Sequence, residues 1–419
     1  MTNDLFPTKI KPKCHPNHWE MKDYVVCLHK INLMKSSFIM FVLIVFSVYA
    51  IGNVYLFVRG WQSLEIIGQR RVWFAAVFWI VALSFIIPMM LRMQGVSGAL
   101  FDVLFVVGSF WIAVMLYGFL ALITIDLLRI IAWAGSIKPD FIHQNYPLSK
   151  IIILGIFSFV ITVILCAGYH RAHHPQITRL EIEVDKQAGQ LPALRVVMAS
   201  DIHLGQILGR KSLARIVNTI NEQHPDLVLF AGDTFDGSPA QIIKNDMGAE
   251  FDRLQTKYGA YAVSGNHEYI GERETPQAVN ITFDYLSSHG VQALQDAVIL
   301  IDSSFYLAGR KDRTVGKRKT LHELLAGIDR QLPVIMMDHQ PFQLDEVEQA
   351  GIDLHLSGHT HHGQMWPLNY ITRKIYEQDW GFLQKGQSKF YVSCGAGTWG
   401  PPIRTAGHSE VVVIDLKFN

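Results

Sequence analysis

Four apolar stretches in the first 170 residues constrain this chain more than any other feature. They run from Ser37 to Val58, Val72 to Leu91, Leu100 to Ile123 and Ile151 to Ala167. Each approaches or exceeds the roughly 20 residues that an α-helix needs to cross the hydrocarbon of a bilayer. A backbone in lipid must satisfy its own hydrogen bonds, so such runs fold as spanning helices. One run alone could be a buried core helix, but four in succession with almost no charge point to spans. The composition agrees: half of the residues are hydrophobic and only 17% are charged, against roughly 25% in an ordinary soluble protein. The first run is not read as a cleavable signal, because a long polar tail precedes it and further spans follow.

The expected organisation is a polar, poorly ordered tail over 1–36, a transmembrane region of four helices over 37–170, and a domain over 171–419. The tail carries Pro7, Pro12 and Pro16 among lysines, a composition that resists packing. Asp102 and Asp126 lie near the ends of the third run, where carboxylates reach the headgroups instead of marking an ion path. Trp61, Trp73 and Trp133 fit an aromatic belt at the span ends. Arg59, Arg70 and Arg71 outnumber Arg92 in the next loop, which places the first loop in the cytoplasm and the last domain outside. Lys30, Lys35 and Arg171 argue the opposite way. The expectation is a multi-pass protein of the plasma (inner) membrane with its last domain extracytoplasmic, in contact with membrane lipids. A formal charge of +1 gives no signal for nucleic-acid binding, which needs a clustered excess of Lys and Arg. The four cysteines are too few and scattered for a disulfide framework or a Cys-rich zinc site.

After Ala167 the pattern changes to short β-rich runs alternating with amphipathic segments, the signature of an α/β domain. Ile177 to Val184 alternates apolar and polar residues, as a half-buried edge strand does. Leu194 to Ala199, Leu227 to Ala231, Tyr261 to Ser264, Val334 to Met337 and Leu354 to Ser357 are compact runs of strand length. Between them, Ser212 to Glu222, Pro276 to His289 and Thr320 to Ala326 have helical spacing. Each of those five compact strands is followed at once by ligand-type residues, where open α/β sheets place their sites.

In order, the strand ends deliver Asp201-Ile202-His203, Gly232-Asp233-Thr234-Phe235-Asp236, Gly265-Asn266-His267-Glu268, Asp338-His339-Gln340-Pro341 and Gly358-His359-Thr360-His361. Residues two apart in an extended segment point the same way, so Asp201 with His203, and His359 with His361, can face one ion together. The donors are carboxylate and amide oxygens and imidazole nitrogens, without thiolate. That set suits manganese, iron or zinc better than calcium or magnesium. One ion would not use so many ligands, whereas two divalent ions bridged by a shared carboxylate would use them all.

These segments, Asp-x-His, Gly-Asp-x-x-Asp, Gly-Asn-His-Glu, His-x-Pro and Gly-His-Thr-His, resemble the calcineurin-like metallophosphoesterase superfamily over about Pro175 to Lys417. Gly358 to Gln364, with Gly397-Thr398-Trp399-Gly400-Pro401-Pro402-Ile403-Arg404, looks like its membrane-associated branch. That branch usually has Gly where His362 stands, and His362 is read as a tolerated side chain in preference to an extra donor. The resemblance implies two mixed β-sheets sandwiched between helices. It implies Asp201, His203, Asp233 and His361 around one metal, and Asp233, Asn266, His339 and His359 around the other. His267 would be the general acid, with Asp236 fixing its tautomer and favouring its protonated form.

The expected reaction is hydrolysis of a phosphate ester by hydroxide from a water acidified between two cations. The ester is a phosphodiester, monoester or pyrophosphate, in a phosphorylated small molecule or a lipid-linked substrate, and the anchor favours a lipid-linked or surface-confined phosphodiester or pyrophosphate. Arg310, Lys311, Arg313, Lys317, Arg318 and Lys319 are candidates to meet anionic headgroups or the substrate phosphate, and equally read as a solvated basic loop. A nuclease of the same fold is the nearest alternative, disfavoured by the lack of interleaved aromatic and basic residues. A non-catalytic scaffold with a structural metal is the other, and His267 and Asp236 argue against it, since neither is needed merely to hold metal.

Overall fold

The computed structural model describes residues 21–92, 98–137, 139–270 and 277–419. The first part of the tail expected over 1–36 lies outside the described residues, and a helix begins at Met21. The chain divides into two compact units, Met1–Arg59 and Gly60–Asn419. The first contributes most of the helix Met21–Ser63, with Asn53 donating to the carbonyl of Tyr49 at 2.8 Å.

Among the described residues, four helical segments are long and apolar enough to cross a membrane. They are Leu43–Ser63, Glu65–Leu91, Ala99–Ala134 and Tyr146–His173. The second is interrupted, with a 3-10 turn at Glu65–Arg70 before helices Arg71–Leu83 and Ile86–Arg92. Within the second unit these helices pack through aromatic pairs, Phe78 against Trp111 and Phe85 against Phe105. The last two run antiparallel: Arg129 donates to Tyr146 at 2.7 Å, and Phe110 meets Tyr169 near the other end.

Among the described residues, twelve strands form two six-stranded sheets. In chain order they are β1 Gln176–Val184, β2 Ala193–Ala199, β3 Leu227–Phe230, β4 Ala260–Ala262, β5 Val291–Ala293 and β6 Ala297–Ile301. Then follow β7 Phe305–Gly309, β8 Val334–Met337, β9 Leu354–Ser357, β10 Gly381–Lys385, β11 Ser388–Val392 and β12 Glu410–Phe418. The first sheet has the order β1-β12-β2-β3-β4-β5 and the second β10-β11-β9-β8-β7-β6. Both are mixed, since β12 pairs antiparallel with β2 while β2, β3, β4 and β5 run parallel. In the second, β7, β8 and β9 are parallel inside antiparallel outer pairs. The strand read over Ile177 to Val184 is at an edge, as its alternation required.

A strand buried on both faces sends alternate side chains into two cores. Val196 and Met198 meet Ile335, Met337, Leu354 and Leu356 between the sheets. Val197 and Ala199 point the other way, towards Leu213, Ile216, Val217 and Ile220 of the helix Arg210–Asn221. That helix presents one apolar stripe, which is why it lies flat on the sheet. Val334 and Met336 pack under the short helices Leu321–Leu324 and Leu344–Gln349. The result is a sandwich of two sheets between helices, as the resemblance implied. Segments read as longer than they are include Thr320 to Ala326, where a capping box at Thr320 starts a helix that ends at Leu324.

Candidate metal centre

The site lies where β2, β3, β4, β8 and β9 end. Backbone pairing continues past β2 and β3: the Asp201 and His203 amides donate to the carbonyls of Gly232 and Asp233, each at 3.0 Å. This holds two ligand loops side by side. Asp201, His203, Asp233, His359 and His361 have φ of 52°, 50°, 49°, 73° and 49°. Left-handed backbone at a residue other than glycine costs roughly 1–2 kcal/mol, and its concentration at one place marks a site where geometry outweighs local stability. Two glycines permit the approach of carboxylates. A Cβ on Gly265 would lie 2.1 Å from Oδ1 of Asp233, and one on Gly358 2.1 Å from Oδ2 of Asp201.

Eight of the nine residues singled out from the sequence fall into three groups of donors. Asp201, His203 and His361 form one, Asp233, His339 and His359 another, and His203, Asp236 and His267 a third. Nε2 of His203 is 3.0 Å from Nε2 of His361, which in turn is 3.4 Å from Oδ1 of Asp201. Oδ2 of Asp233 is 3.1 Å from Nε2 of His339 and 3.9 Å from Nε2 of His203, so this carboxylate reaches the first two groups. Oδ1 of Asn266 is buried without a hydrogen-bond partner. A buried polar atom without a partner carries a penalty unless something else satisfies it, and a metal ion is one group that would. Nδ1 of His339 donates to the carbonyl of Ala231 at 2.7 Å, the kind of contact that aims a ligating imidazole.

The electrostatics fit the same reading. Burial, then the neighbouring His203, holds His361 neutral with its pKa well below the usual value. Burial and the adjacent His339 push His359 down to about 4. Neutral imidazole is the form that binds a metal. His339 differs: burial opposes its charge, but Asp233 overrides this and holds its pKa well above the ordinary value.

His267 belongs to the third group, with Asp236 and His203. Its Nδ1 is 2.9 Å from Oδ1 of Asp236, and its amide donates to Asp233 at 2.8 Å. Burial disfavours the imidazolium, but Asp233 and Asp236 more than offset this and raise the pKa to about 9. Asp236 also lies 3.6 Å from Nδ1 of His203, too long for a hydrogen bond, so its firm partner is His267.

Three features were not legible as such. Glu268 is buried and accepts from the amides of Phe235 at 3.0 Å and Gly265 at 2.7 Å. It fastens the loop after β3 to the loop after β4, and burial beside Asp233 raises its pKa to about 7. Arg404 is fully buried and donates to the carbonyls of Cys394, Gly397 and His361. Its Nη2 lies 3.2 Å from Nδ1 of His361. His362 is more than a tolerated side chain: it is buried, with Nδ1 2.9 Å from Asp379, which also accepts from Thr372. The basic run behaves differently from the expectation of headgroup contact. Arg310 and Arg318 both pair with the buried Asp338, at 3.1 and 2.9 Å, and are therefore structural.

Residues 194–363 match the family model described as calcineurin-like phosphoesterase. A transmembrane protein with metallophosphoesterase domain from Danio rerio is 31% identical over 62% of this chain and 62% of its own length. A metallophosphoesterase of Campylobacter jejuni is 26% identical over 91% of this chain and 99% of its own. One from Aquifex aeolicus is 30% identical over 61% of this chain and 98% of its own. The chain belongs to the calcineurin-like phosphoesterases, metal-dependent hydrolases of phosphoric esters, here joined to membrane-spanning helices.

Proposed function

We propose that this protein is a membrane-anchored phosphoesterase that works with two divalent transition-metal ions. The observation that carries this reading is Asp233, which reaches both His203 and His339 while Oδ1 of Asn266 stays buried without a partner. Asp201, His203, Asp233 and His361 hold one ion, and Asp233, Asn266, His339 and His359 the other. Manganese, iron and zinc all suit these donors. When bound, the ions supply the Lewis acidity that activates water and offsets charge on the phosphoryl oxygens. With Nδ1 engaged by Asp236 at 2.9 Å, which favours its charged form, His267 donates its proton from Nε2 to the departing ester oxygen. Asp236 fixes the ring and the tautomer. The buried walls around Asp201 and His339 exclude bulk water from the ligands.

Residues 171–419 are the catalytic unit and 37–170 the membrane region. The catalytic unit faces away from the cytoplasm across the inner membrane. Supporting this, Lys150 pairs with Glu65 at 2.7 Å, so the connection after the third span shares a side with Arg70 and Arg71. Arg129 and Lys150 thereby add to the positive charge that marks the cytoplasmic face. The substrate is an anionic phosphate ester confined to the membrane surface.

The test uses full-length protein in detergent, stripped of metal and reloaded. Two ions per chain and manganese-dependent hydrolysis of bis(4-nitrophenyl) phosphate are expected. One ion or none after reloading, with no manganese-dependent turnover, would sink the two-metal reading. A reporter active only outside the cytoplasm, fused after Asn419, checks the orientation; a silent but well-expressed fusion reverses it.

A further inference from the structure

Large apolar side chains are exposed on one stretch of the catalytic domain beside the metal centre. Trp366, Tyr370, Ile371, Ile375 and Trp399 are 48%, 56%, 56%, 58% and 58% exposed. Three of them lie on the short helix Asn369–Ile375, with Arg373 and Lys374 exposed among them. Trp399 is tied back to this region through Gln364, which accepts from its amide at 2.9 Å. In water an apolar patch of this kind has no reason to persist.

The spanning helices say what covers it. Met365 and Ile403, which flank the patch in sequence, are buried against Ala113, with Phe110, Leu116, Leu165 and Leu368 around them. Thr405 accepts from the amide of Trp366 at 2.9 Å and hydrogen-bonds Tyr117. Phe110 is level with Tyr169, close to where the helix Tyr146–His173 delivers the chain into β1. The helix Ala99–Ala134 therefore continues beyond this junction, from Phe110 back to Ala99, on the side where the catalytic domain stands. At 1.5 Å per residue those residues add about 16 Å. Leu100, Val103 and Val107 on that extension are 68%, 60% and 40% exposed. An exposed apolar helix of this length needs hydrocarbon around it, so the bilayer rises past the junction and alongside the patch.

Resting on the phosphoesterase reading above, we propose that the catalytic domain seats Trp366, Tyr370, Ile371, Ile375 and Trp399 in the adjoining leaflet, so that its metal centre acts on phosphate groups of lipids in that leaflet. The patch flanks the centre directly. The ring of Trp399 is 6.0 Å from that of His267, and Tyr376, one residue beyond the helix, is 6.1 Å from His359. Amphipathic Trp and Tyr settle at headgroup depth, and Arg373 and Lys374 draw anionic headgroups to the same level. A lipid phosphate thus reaches the ligands by moving sideways within the leaflet, with its acyl chains still in hydrocarbon.

The experiment reconstitutes the full chain and the double variant Ile371→Glu/Ile375→Glu into phosphatidylcholine vesicles containing phosphatidic acid. Hydrolysis of the vesicle lipid should fall by at least about ten-fold, since two carboxylates oppose insertion. Hydrolysis of soluble bis(4-nitrophenyl) phosphate should change by less than about two-fold, because neither side chain touches the metal ligands. Equal losses on both substrates, or no loss on either, overturn the proposal. Turnover of the soluble diester by the unaltered protein, with none of the vesicle lipid, also overturns it and leaves the phosphoesterase reading standing. If neither substrate is turned over, that reading fails, and docking is decided separately by lipids brominated on their acyl chains. These should quench less tryptophan emission in Trp366→Phe than in the unaltered protein; equal quenching in the two rejects the seating.

Discussion

The helix Ala99–Ala134 and the strand β2 bury opposite kinds of residue. In the helix the buried positions are Gly108, Ser109, Ala113, Tyr117 and Gly118, while Leu100, Val103 and Leu127 face outward. In β2 it is Val196, Val197 and Met198 that are completely covered. Lipid is as apolar as leucine, so no hydrophobic force draws large side chains inward in the membrane, and helices meet where small residues let them approach. Water supplies that force in the domain. The difference makes polar burial informative in one region only. Asp201, His203, Asp233 and His339 sit among the most buried residues of the domain, where each carries a cost unless something pairs with it.

The strongest way to break this comparison is Asp233→Asn. If burial of this carboxylate serves both ions, the variant should lose activity by at least roughly 10⁴-fold, the scale seen when one group disables a whole catalytic unit. Its loss should exceed that of His203→Ala, and its metal content should fall. Undiminished metal content with equal residual activity in the two variants shows that the bridge is elsewhere.

His267→Gln separates proton donation from metal binding. Both ions should remain, since the imidazole is assigned to neither ion, while turnover of a substrate with a poor leaving group falls by roughly 10²–10⁴. A nitrophenyl ester should be hurt much less. The pH dependence carries a sign. Asp233 and Asp236 raise the His267 pKa to about 9 without the ions; cations at Asp233 offset its share, so in the loaded enzyme the charged acid rests on Asp236 and is lost as pH rises through a folded value below that. Activity should therefore decline on the alkaline side, and Asp236→Asn should move that decline towards neutrality. A limb that stays put on a full pH profile would show that Asp236 does not support the charge.

Glu268→Ala should cost stability more than chemistry. It strips partners from two buried amides on separate loops, about 1–3 kcal/mol for each group left unsatisfied. A lowered midpoint of thermal unfolding in detergent is the check.

Much of this centre was legible because ligands follow strand ends, and strands such as Val334–Met337 and Leu354–Ser357 announce themselves as short apolar runs. What escaped depended on partners remote in sequence. Arg310 and Arg318 look like a solvated basic run until Asp338, 28 and 20 residues away, is folded against them. Arg404 reaches His361 across 43 residues. The hairpin of β6 and β7 turns through Asp302 and Ser303, both at positive φ, without the Asn-Gly or Asp-Gly pair that marks such turns. The final strand β12 carries apolar residues on both faces, and periodicity alone does not separate that pattern from a buried helix. The membrane helices were legible for the opposite reason: hydropathy needs no partner.

The smallest effect, and the sharpest test of where the two regions meet, lies in two glycines of the helix Tyr146–His173. At Gly155 an added Cβ would meet nothing within 4 Å. At Gly168 it would lie 2.5 Å from Cγ2 of Ile403 and 3.2 Å from the carbonyl of Arg404, whose amide donates to the carbonyl of Gly168 at 3.0 Å. Gly155→Ala removes only the backbone freedom of a helical glycine and should stabilise by roughly 0.5–1 kcal/mol. Gly168→Ala gains the same helix preference but must push the loop of Ile403 and Arg404 aside, an overpacking cost of about 1–3 kcal/mol. The two variants should therefore shift the unfolding midpoint in opposite directions, although the substitution, the helix and the membrane are the same. Because Arg404 also contacts His361, Gly168→Ala should lower turnover several-fold, within the roughly 10–100-fold range of changes behind a metal ligand, while Gly155→Ala leaves it unchanged. Identical midpoints and turnover for both would mean that the helix is only a tether and that its packing against the Arg404 loop has no bearing on the metal centre.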